Sequence, residues 1–335
     1  GKLRFSWGKN GNSDFDQYGA LADMKSSLTP IIDQSGKLNL ISQLYIIRMA
    51  NYGLKWESTD SYNLGLDFSV VKDILSGSFD IYNKETNDLL IERQLPRFTG
   101  YEKINDNLGK VQNKGFEVSL NASVMKINNF EWNATGTFSL NRRKLKKLYG
   151  DMIDVFDANG NVIGQREADD TKNGWYIGRD PDQIFGYVRD GVWQLGEEAE
   201  AAKYGLQPGD FKYIDQDGDG VMTDEDKRFQ KYKTPRCRWS LRNSFRIYQD
   251  FELSFMLYSL WGHYDTFNAA ANNSLADRVS SYDYPRWTKD NPINDYARIG
   301  SKNIGTTWIN KSFIRLDNIT LSYYVPQQFL KRFLI

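Results

Sequence analysis

The sequence predicts an all-β fold: part of a large antiparallel transmembrane β-barrel, about eight strands of its wall, with long extracellular loops. Three observations predict it. Apolar and polar residues alternate over long runs, and the connections between those runs are short and long in turn. The composition is also rich in Tyr and Trp, with no apolar stretch near the roughly 18 residues a spanning helix requires.

Alternation places successive side chains on opposite faces of a strand. It is clearest at Phe116, Val118, Leu120, Ala122 and Val124, interleaved with Glu117, Ser119, Asn121 and Ser123. Trp132, Ala134, Gly136, Phe138 and Leu140 follow, against Glu131, Asn133, Thr135, Thr137 and Ser139. Cys237, Trp239, Leu241, Phe245 and Ile247 oppose Arg236, Arg238, Ser240, Arg242, Ser244 and Arg246. Near the end, Ile319, Leu321, Tyr323 and Val325 oppose Thr320, Ser322 and Tyr324. Similar patterns run through 64–70, 79–81 and 251–257.

A soluble sandwich alternates in the same way, so the connections decide. Strands near 58–71 and 77–91 meet at a turn around 72–76, strands 111–124 and 130–145 near 126–129, and strands 235–248 and 250–262 near 248–250. Between the hairpins lie the long segments 92–110, 146–234 and 263–310. Every long connection then falls on one end, the asymmetry of a barrel with tight periplasmic turns and long extracellular loops. Runs of about 12 to 15 residues also exceed the five or six usual in soluble strands. An opening strand at 2–8 and a last one at 311–325 complete the set. In the segment 146–234, Trp175, Tyr176, Ile184, Phe185, Tyr187, Val192 and Trp193 supply apolar material for a small core of its own.

Composition narrows the function. The 335 residues are 40% apolar and 26% charged, which argues against disorder and against a helical membrane bundle. Aromatic residues reach 14%, with 20 Tyr and 9 Trp, the residues of surfaces half apolar and half wet. Lys plus Arg and Asp plus Glu are both 43, so no nucleic-acid partner is expected. A single cysteine, Cys237, excludes an internal disulfide and a Cys-based zinc site; a single histidine, His263, just past a strand, excludes His-rich metal sites. No enzyme is expected. The negative mean hydropathy does not exclude a membrane, because a barrel strand shows lipid only alternate residues. The chain opens on a strand-like pattern with no signal peptide, and it is read as an internal piece of a longer precursor.

Several segments carry a resemblance. They are Leu3-Arg4-Phe5-Ser6-Trp7-Gly8 leading to Gly11-Asn12; Leu54-Lys55-Trp56-Glu57, then Asn63-Leu64-Gly65-Leu66-Asp67-Phe68; and 79–90. Asn107-Leu108-Gly109-Lys110-Val111-Gln112-Asn113-Lys114-Gly115-Phe116-Glu117 and Phe313-Ile314-Arg315-Leu316-Asp317-Asn318 follow. Their order and spacing resemble the SusC/RagA family of TonB-dependent transporters over nearly the whole chain. The resemblance implies a barrel of roughly 22 strands closed by a plug. Residues 1–335 are then a C-terminal part of the barrel domain, strands thirteen to twenty, with the plug, the N-terminal strands and the last strands outside it. It also implies a multi-pass outer-membrane location, contact with barrel lipid, and import of oligosaccharide or oligopeptide fragments. The partners implied are a SusD-like surface lipoprotein and, through the absent N-terminal region, the TonB complex.

One motif carries chemistry. Asp215-Gln216-Asp217-Gly218-Asp219-Gly220-Val221-Met222-Thr223-Asp224-Glu225-Asp226 spaces carboxylates as a Ca²⁺ loop does. The expected ligands are Asp215, Asp217, Asp219, the Val221 carbonyl and Asp226, with Gly220 at the sharp turn. Asp226 replaces the usual bidentate Glu, and the other reading is a solvated acidic turn. No flanking helices are evident, so the ion would brace an extracellular segment and not act as a switch. Tyr258, Trp261, Tyr264 and Phe267 read either as an aromatic girdle or as sugar-stacking rings. Arg236, Arg238, Arg242 and Arg246 either steer an anionic solute or pair with acids on the plug. Against the importer stands a calcium-stabilised soluble or surface-exposed β-rich carbohydrate-binding protein. A glycoside hydrolase fits poorly, since no carboxylate pair can be placed about a substrate.

Overall fold

Alternating apolar and polar residues favour extended backbone that sorts them onto two faces, and the longest such runs are strands. A computed structural model describes residues 1–12, 17–71, 74–248, 250–266, 285–301 and 308–325. The strands β1 (Lys2–Asn12), β2 (Glu57–Val70), β3 (Leu75–Asn87), β4 (Lys110–Ile127), β5 (Phe130–Lys147), β6 (Cys237–Ile247), β7 (Phe251–Trp261) and β8 (Phe313–Tyr323) form one sheet in chain order. This is an up-and-down meander, antiparallel at β1–β2, β5–β6, β6–β7 and β7–β8. The expected strands are all present, with β1 running on to Asn12 and β4 to Ile127. Only residues 128–129 separate β4 from β5, and short links also join β2 to β3 and β6 to β7. Parts of those two turns, residues 72–73 and 249, lie outside the described residues, as do Phe267 and Pro326. The chain divides into two units, 1–70 with 76–118 and 141–181, and 71–75 with 119–140 and 182–335.

In the first unit, the β1–β2 ladder pairs Leu3 with Leu66, Phe5 with Leu64 and Trp7 with Tyr62 on one face. That face is exposed: Phe5 keeps 72% of its surface and Trp7 61%. Next along it Lys9 faces Asp60 at 3.9 Å, so the ladder runs from aliphatic to aromatic to charged, the order of a strand leaving lipid. The opposite face is polar. Arg4 forks onto Asp67 (Nε to Oδ2 and Nη2 to Oδ1, both 2.8 Å) and reaches Asp80 at 3.0 Å, while Asn63 donates to Asp80.

The motif residues of this unit act as clips. Glu57 accepts from the Leu90 N–H and from the Asn12 amide. Asn107 bonds the backbone of Lys55 in both directions and donates to the Asp88 carbonyl. Gly109 lies at φ +94, where a Cβ would sit 2.9 Å from Ile91 and 3.2 Å from the Lys147 carbonyl. Residues 13–56, which the alternation left unassigned, hold a hairpin, Asp23–Ile32 with Leu38–Met49. The strands Leu90–Gln94 and Lys103–Asn107 extend it to four, the last joining parallel to Leu38–Met49. Ile31, Ile41 and Tyr45 lie on the face opposite Leu28, Leu40 and Leu44, so no clean period marks these strands in the sequence.

In the second unit, Trp239, Leu241, Phe245 and Ile247 of β6 align with Phe138, Gly136, Trp132 and Phe130 of β5 and with Ser259, Leu257, Leu253 and Phe251 of β7. Two polar side chains interrupt this apolar face, and both find internal partners. Asn243, 7% exposed, accepts from the Trp132 indole at 3.1 Å; Ser259, 1% exposed, bonds the Phe313 carbonyl. In hydrocarbon an unpaired polar group costs several kcal/mol, about the penalty these pairings avoid. Trp261 ends the apolar row opposite Cys237, while Tyr258 lies on the polar face and its hydroxyl accepts from Arg315.

The long connection between β5 and β6 packs into a small core, but not one of its own. Val192, Phe211 and Tyr213 are joined by Trp287 and Ala297 of the connection between β7 and β8, with Tyr187 packed against them, and Trp193, Ala201 and Leu206 make a satellite. Trp175, Tyr176, Ile184 and Phe185, expected to contribute, belong to neither cluster. Gly209, φ +90, lies where a Cβ would meet the Trp287 ring at 2.5 Å.

Candidate metal site

The acidic loop follows directly on this core, after the strand Phe211–Tyr213. Two glycines in left-handed conformation, Gly218 (φ 77) and Gly220 (φ 82), curl the chain back. Asp215 Oδ1 accepts from the Gly218 N–H at 2.6 Å and Oδ2 from the Gly220 N–H at 2.8 Å. Asp217 accepts from Asp219 N–H, and Asp219 from Val221 N–H. These bonds aim three carboxylates inward: one ligand oxygen each from Asp215, Asp217 and Asp219 lies within 4.8 Å of the others. That donor set suits a hard divalent cation.

The structure thus brings together three of the predicted ligands. Val221, fourth in the set, sits at the sharp turn with its N–H on Asp219. Asp226 is fully buried and holds the loop's two arms, Oδ1 accepting from Gln216 N–H at 2.7 Å and Oδ2 from Thr223 N–H at 2.8 Å. It also completes a capping box with Thr223 on the 3₁₀ turn Asp224–Asp226. Each of these carboxylates keeps an oxygen lone pair for a cation, although Asp215 Oδ2 is already filled by the Gly220 N–H and the Tyr204 hydroxyl. Among the described residues the α-helix nearest in sequence is the short Glu198–Lys203, whose neighbour Tyr204 donates its hydroxyl to Asp215 at 3.1 Å.

The electrostatics show the strain of crowding. The Asp215 carboxyl lies below its usual range, chiefly because Gly220 N–H bonds it, aided by Gly218 and Tyr204 against partial burial. The Asp219 N–H also pulls Asp217 down, yet Asp217 ends above its usual range, pushed there by partial burial and by the negative charges of Asp219 and Asp226. Asp217 is therefore the first of the two to take up a proton as pH falls, and a cation would relieve the same repulsion.

A separate cavity of about 640 Å³ opens beside the core, bordered by Asp190, Gln194, Glu197, Lys212 and Asn294. Lys212 pairs with Glu197 at 2.8 Å and covers the Trp193 ring, and Asn294 accepts from Val192 N–H. Sequence reading missed this cavity because Asn294 comes from a different long connection. It missed Asn243 for the same reason, since nothing local marks a polar residue as another strand's partner. Of the arginine stripe, Arg236 precedes β6 and lies over the Tyr232 ring at 3.6 Å, while Arg238, Arg242 and Arg246 share the polar face as expected.

Comparison with known proteins places these features. The family model described as TonB dependent receptor-like, beta-barrel matches residues 2–325. TonB-dependent receptor P3 of Formosa agariphila is 31% identical over 98% of this chain and 33% of its own length. TonB-dependent receptor SusC of Bacteroides thetaiotaomicron is 27% identical over 82% of this chain and 26% of its own. The RagAB peptide importer in its open-open state superimposes with a TM-score of 0.70 at 21% identity, covering 98% of this chain and 34% of that one, and shows the fold. The chain spans about a third of the length of the first two curated relatives it matches. The match decides for the barrel over a soluble β-rich binder. The meander of long alternating strands is therefore barrel wall, and the chain belongs to the TonB-dependent receptor β-barrel family, as a SusC/RagA-like segment in the bacterial outer membrane.

Proposed function

We propose that the protein containing this barrel segment actively imports oligosaccharide or oligopeptide nutrients, is energised through the TonB complex, and works beneath a SusD-like surface lipoprotein. The observation that carries the reading is the family match from 2 to 325, laid over a meander whose long connections share one end. RagAB, whose fold this chain shares, is a peptide importer. In this reading the connection between β5 and β6 is extracellular and forms part of the lipoprotein's contact surface. Deleting the full-length gene in its own bacterium should abolish uptake of the nutrient oligomer, as should disabling TonB; unchanged uptake in both strains would refute import. Orientation is tested in a Cys237→Ser background with single cysteines at Asn173 and Glu198. Both should react with an impermeant reagent on intact cells, and protection until the outer membrane is opened would reverse the topology.

The acidic loop completes the proposal: Ca²⁺ bound by Asp215, Asp217, Asp219, the Val221 carbonyl and Asp226, in a structural role. Metal binding needs ionised carboxylates, so affinity should be full at neutral pH and fall as pH drops toward the raised value of Asp217. EDTA is expected to expose residues near 205–230 to protease while the barrel stays folded. Asp217→Ala with Asp219→Ala should leave the loop cleavable with or without calcium. Protease resistance indifferent to EDTA in the unsubstituted protein, or elemental analysis without calcium, would dismiss the metal.

A further inference from the structure

The polar face of β6 presents Arg238, Arg242 and Arg246, and the ladder shows what stands beside each. Arg246 is aligned between Glu131 of β5 and Glu252 of β7, with Glu252 3.5 Å from its guanidinium. Charge at the short-turn end is thus balanced. Toward the long-connection end the surroundings change. Arg242 stands between Thr135 and Met256, and Arg238 between Ser139 and Leu260. On β8, Arg315 donates to the Tyr258 hydroxyl at 3.1 Å and lies over the Phe313 ring at 4.9 Å, both uncharged partners. Among the described residues none of these three arginines forms an ion pair, and neither does Asp317, the acid nearest Arg315 in sequence. Polar-face cations of the other unit contrast with them: Arg4 meets Asp67 and Asp80, and Lys110 meets Glu85 at 2.7 Å.

Three guanidinium groups, none of them bonded to a carboxylate, hold a positive field along one wall that Asp317, two residues from Arg315, offsets only in part. Arg238 and Arg242, four residues apart on a strand, are separated by about 13 Å, and Arg315 stands two strands over, about 10 Å to the side. That spread fits an extended solute with repeated oxyanions better than a single small ion. Arg suits it, because its planar fork matches carboxylate and sulfate oxygens two at a time. The groups between are hydroxyls, Ser240 and Thr137, 2.7 Å apart. The backbone here is consumed by the sheet ladder, so it offers a peptide none of the main-chain pairing that strand addition requires.

We propose that this wall is a binding subsite for an acidic oligosaccharide, a sugar oligomer carrying carboxylate or sulfate groups, with Arg238, Arg242 and Arg315 as its oxyanion ligands. The subsite names the substrate class of the import reading and rests on it.

The test uses the full-length protein in detergent and titration calorimetry with three probes: a galacturonate hexamer, a neutral galactose hexamer and a hexaglutamate peptide. The acidic sugar should bind roughly tenfold or more tighter than the neutral one, as charge-assisted hydrogen bonds imply. The preference should shrink as salt screens the field. Combined Arg238→Gln, Arg242→Gln and Arg315→Gln should erase it, whereas Arg246→Gln should keep it; Arg242→Gln alone, expected to weaken it, serves if the triple variant does not assemble. A preference that survives the triple variant overturns the subsite. So does peptide binding as tight as the sugar's, which would show a reader of charge alone. So does a triple variant that makes cells leaky to large antibiotics, since the arginines would then be holding acids of the protein's own plug. Uptake is measured separately. A protein that binds the acidic sugar but imports nothing refutes import and leaves the subsite, while one that imports only neutral oligomers refutes the subsite alone.

Discussion

Leu120→Arg is expected to destabilise the folded barrel by roughly 2–4 kcal/mol, and Asn121→Arg, its neighbour in sequence, by about 1 kcal/mol at most. Leu120 is the middle of the apolar row Phe116 to Val124, and 38% of its surface is exposed in a strand that offers it no core. Exposure of that kind is stable only against hydrocarbon, where a guanidinium must be desolvated or must snorkel to water. Asn121 points the other way and accepts from the Thr135 hydroxyl at 2.9 Å, so its replacement removes one exposed hydrogen bond in a wet setting. Urea titration of the full-length protein refolded into vesicles measures both. Equal costs at the two positions would reject the assignment of faces.

Phe211→Ala is expected to remove about 3–5 kcal/mol, and to remove it locally. The ring is fully buried among Val192, Tyr213, Trp287 and Ala297, with the Arg189 guanidinium 5.1 Å from its centroid. Truncation would open a cavity and leave that cation facing a void. The strands of the sheet draw their stability from their own ladder and their apolar face, so they should remain folded. Limited proteolysis is then expected to cut within 182–234 while the barrel keeps its resistance to heating in detergent. Val221→Ala, at a side chain 59% exposed, should change neither reading. If Phe211→Ala unfolds strands and module together, the module's independence is wrong.

The strands and their faces were legible because alternation is local: residues two apart in sequence share a face whatever the rest of the chain does. The order of short and long connections needed only counting, and it set the meander. The acidic loop was legible for the same reason, since one tight turn carries Asp215, Asp217 and Asp219 together. The resemblance drew on residues whose work the structure explains, such as Glu57 and Asn107 clipping strand ends, Gly109 fitting against Ile91, and Arg4 held by Asp67 and Asp80.

What the sequence by itself determined, then, is everything governed by period and short spacing: strand, face, turn and the clustering of three carboxylates in one loop. Tertiary structure alone decided the partners. Asn243 is tolerable on the apolar face because Trp132, 111 positions away, gives it a hydrogen bond. The β5–β6 connection acquires a core because Trp287 and Ala297 arrive from another segment, and Asp23–Ile32 and Leu38–Met49 become strands by pairing with one another and, for the second, with Lys103–Asn107. Asp226 became a brace because the folded loop set the Gln216 and Thr223 amides against it. Hydrogen bonds and packing forces act over about 3–4 Å, and a sequence records neighbours along the chain without recording which distant residues folding brings within that reach.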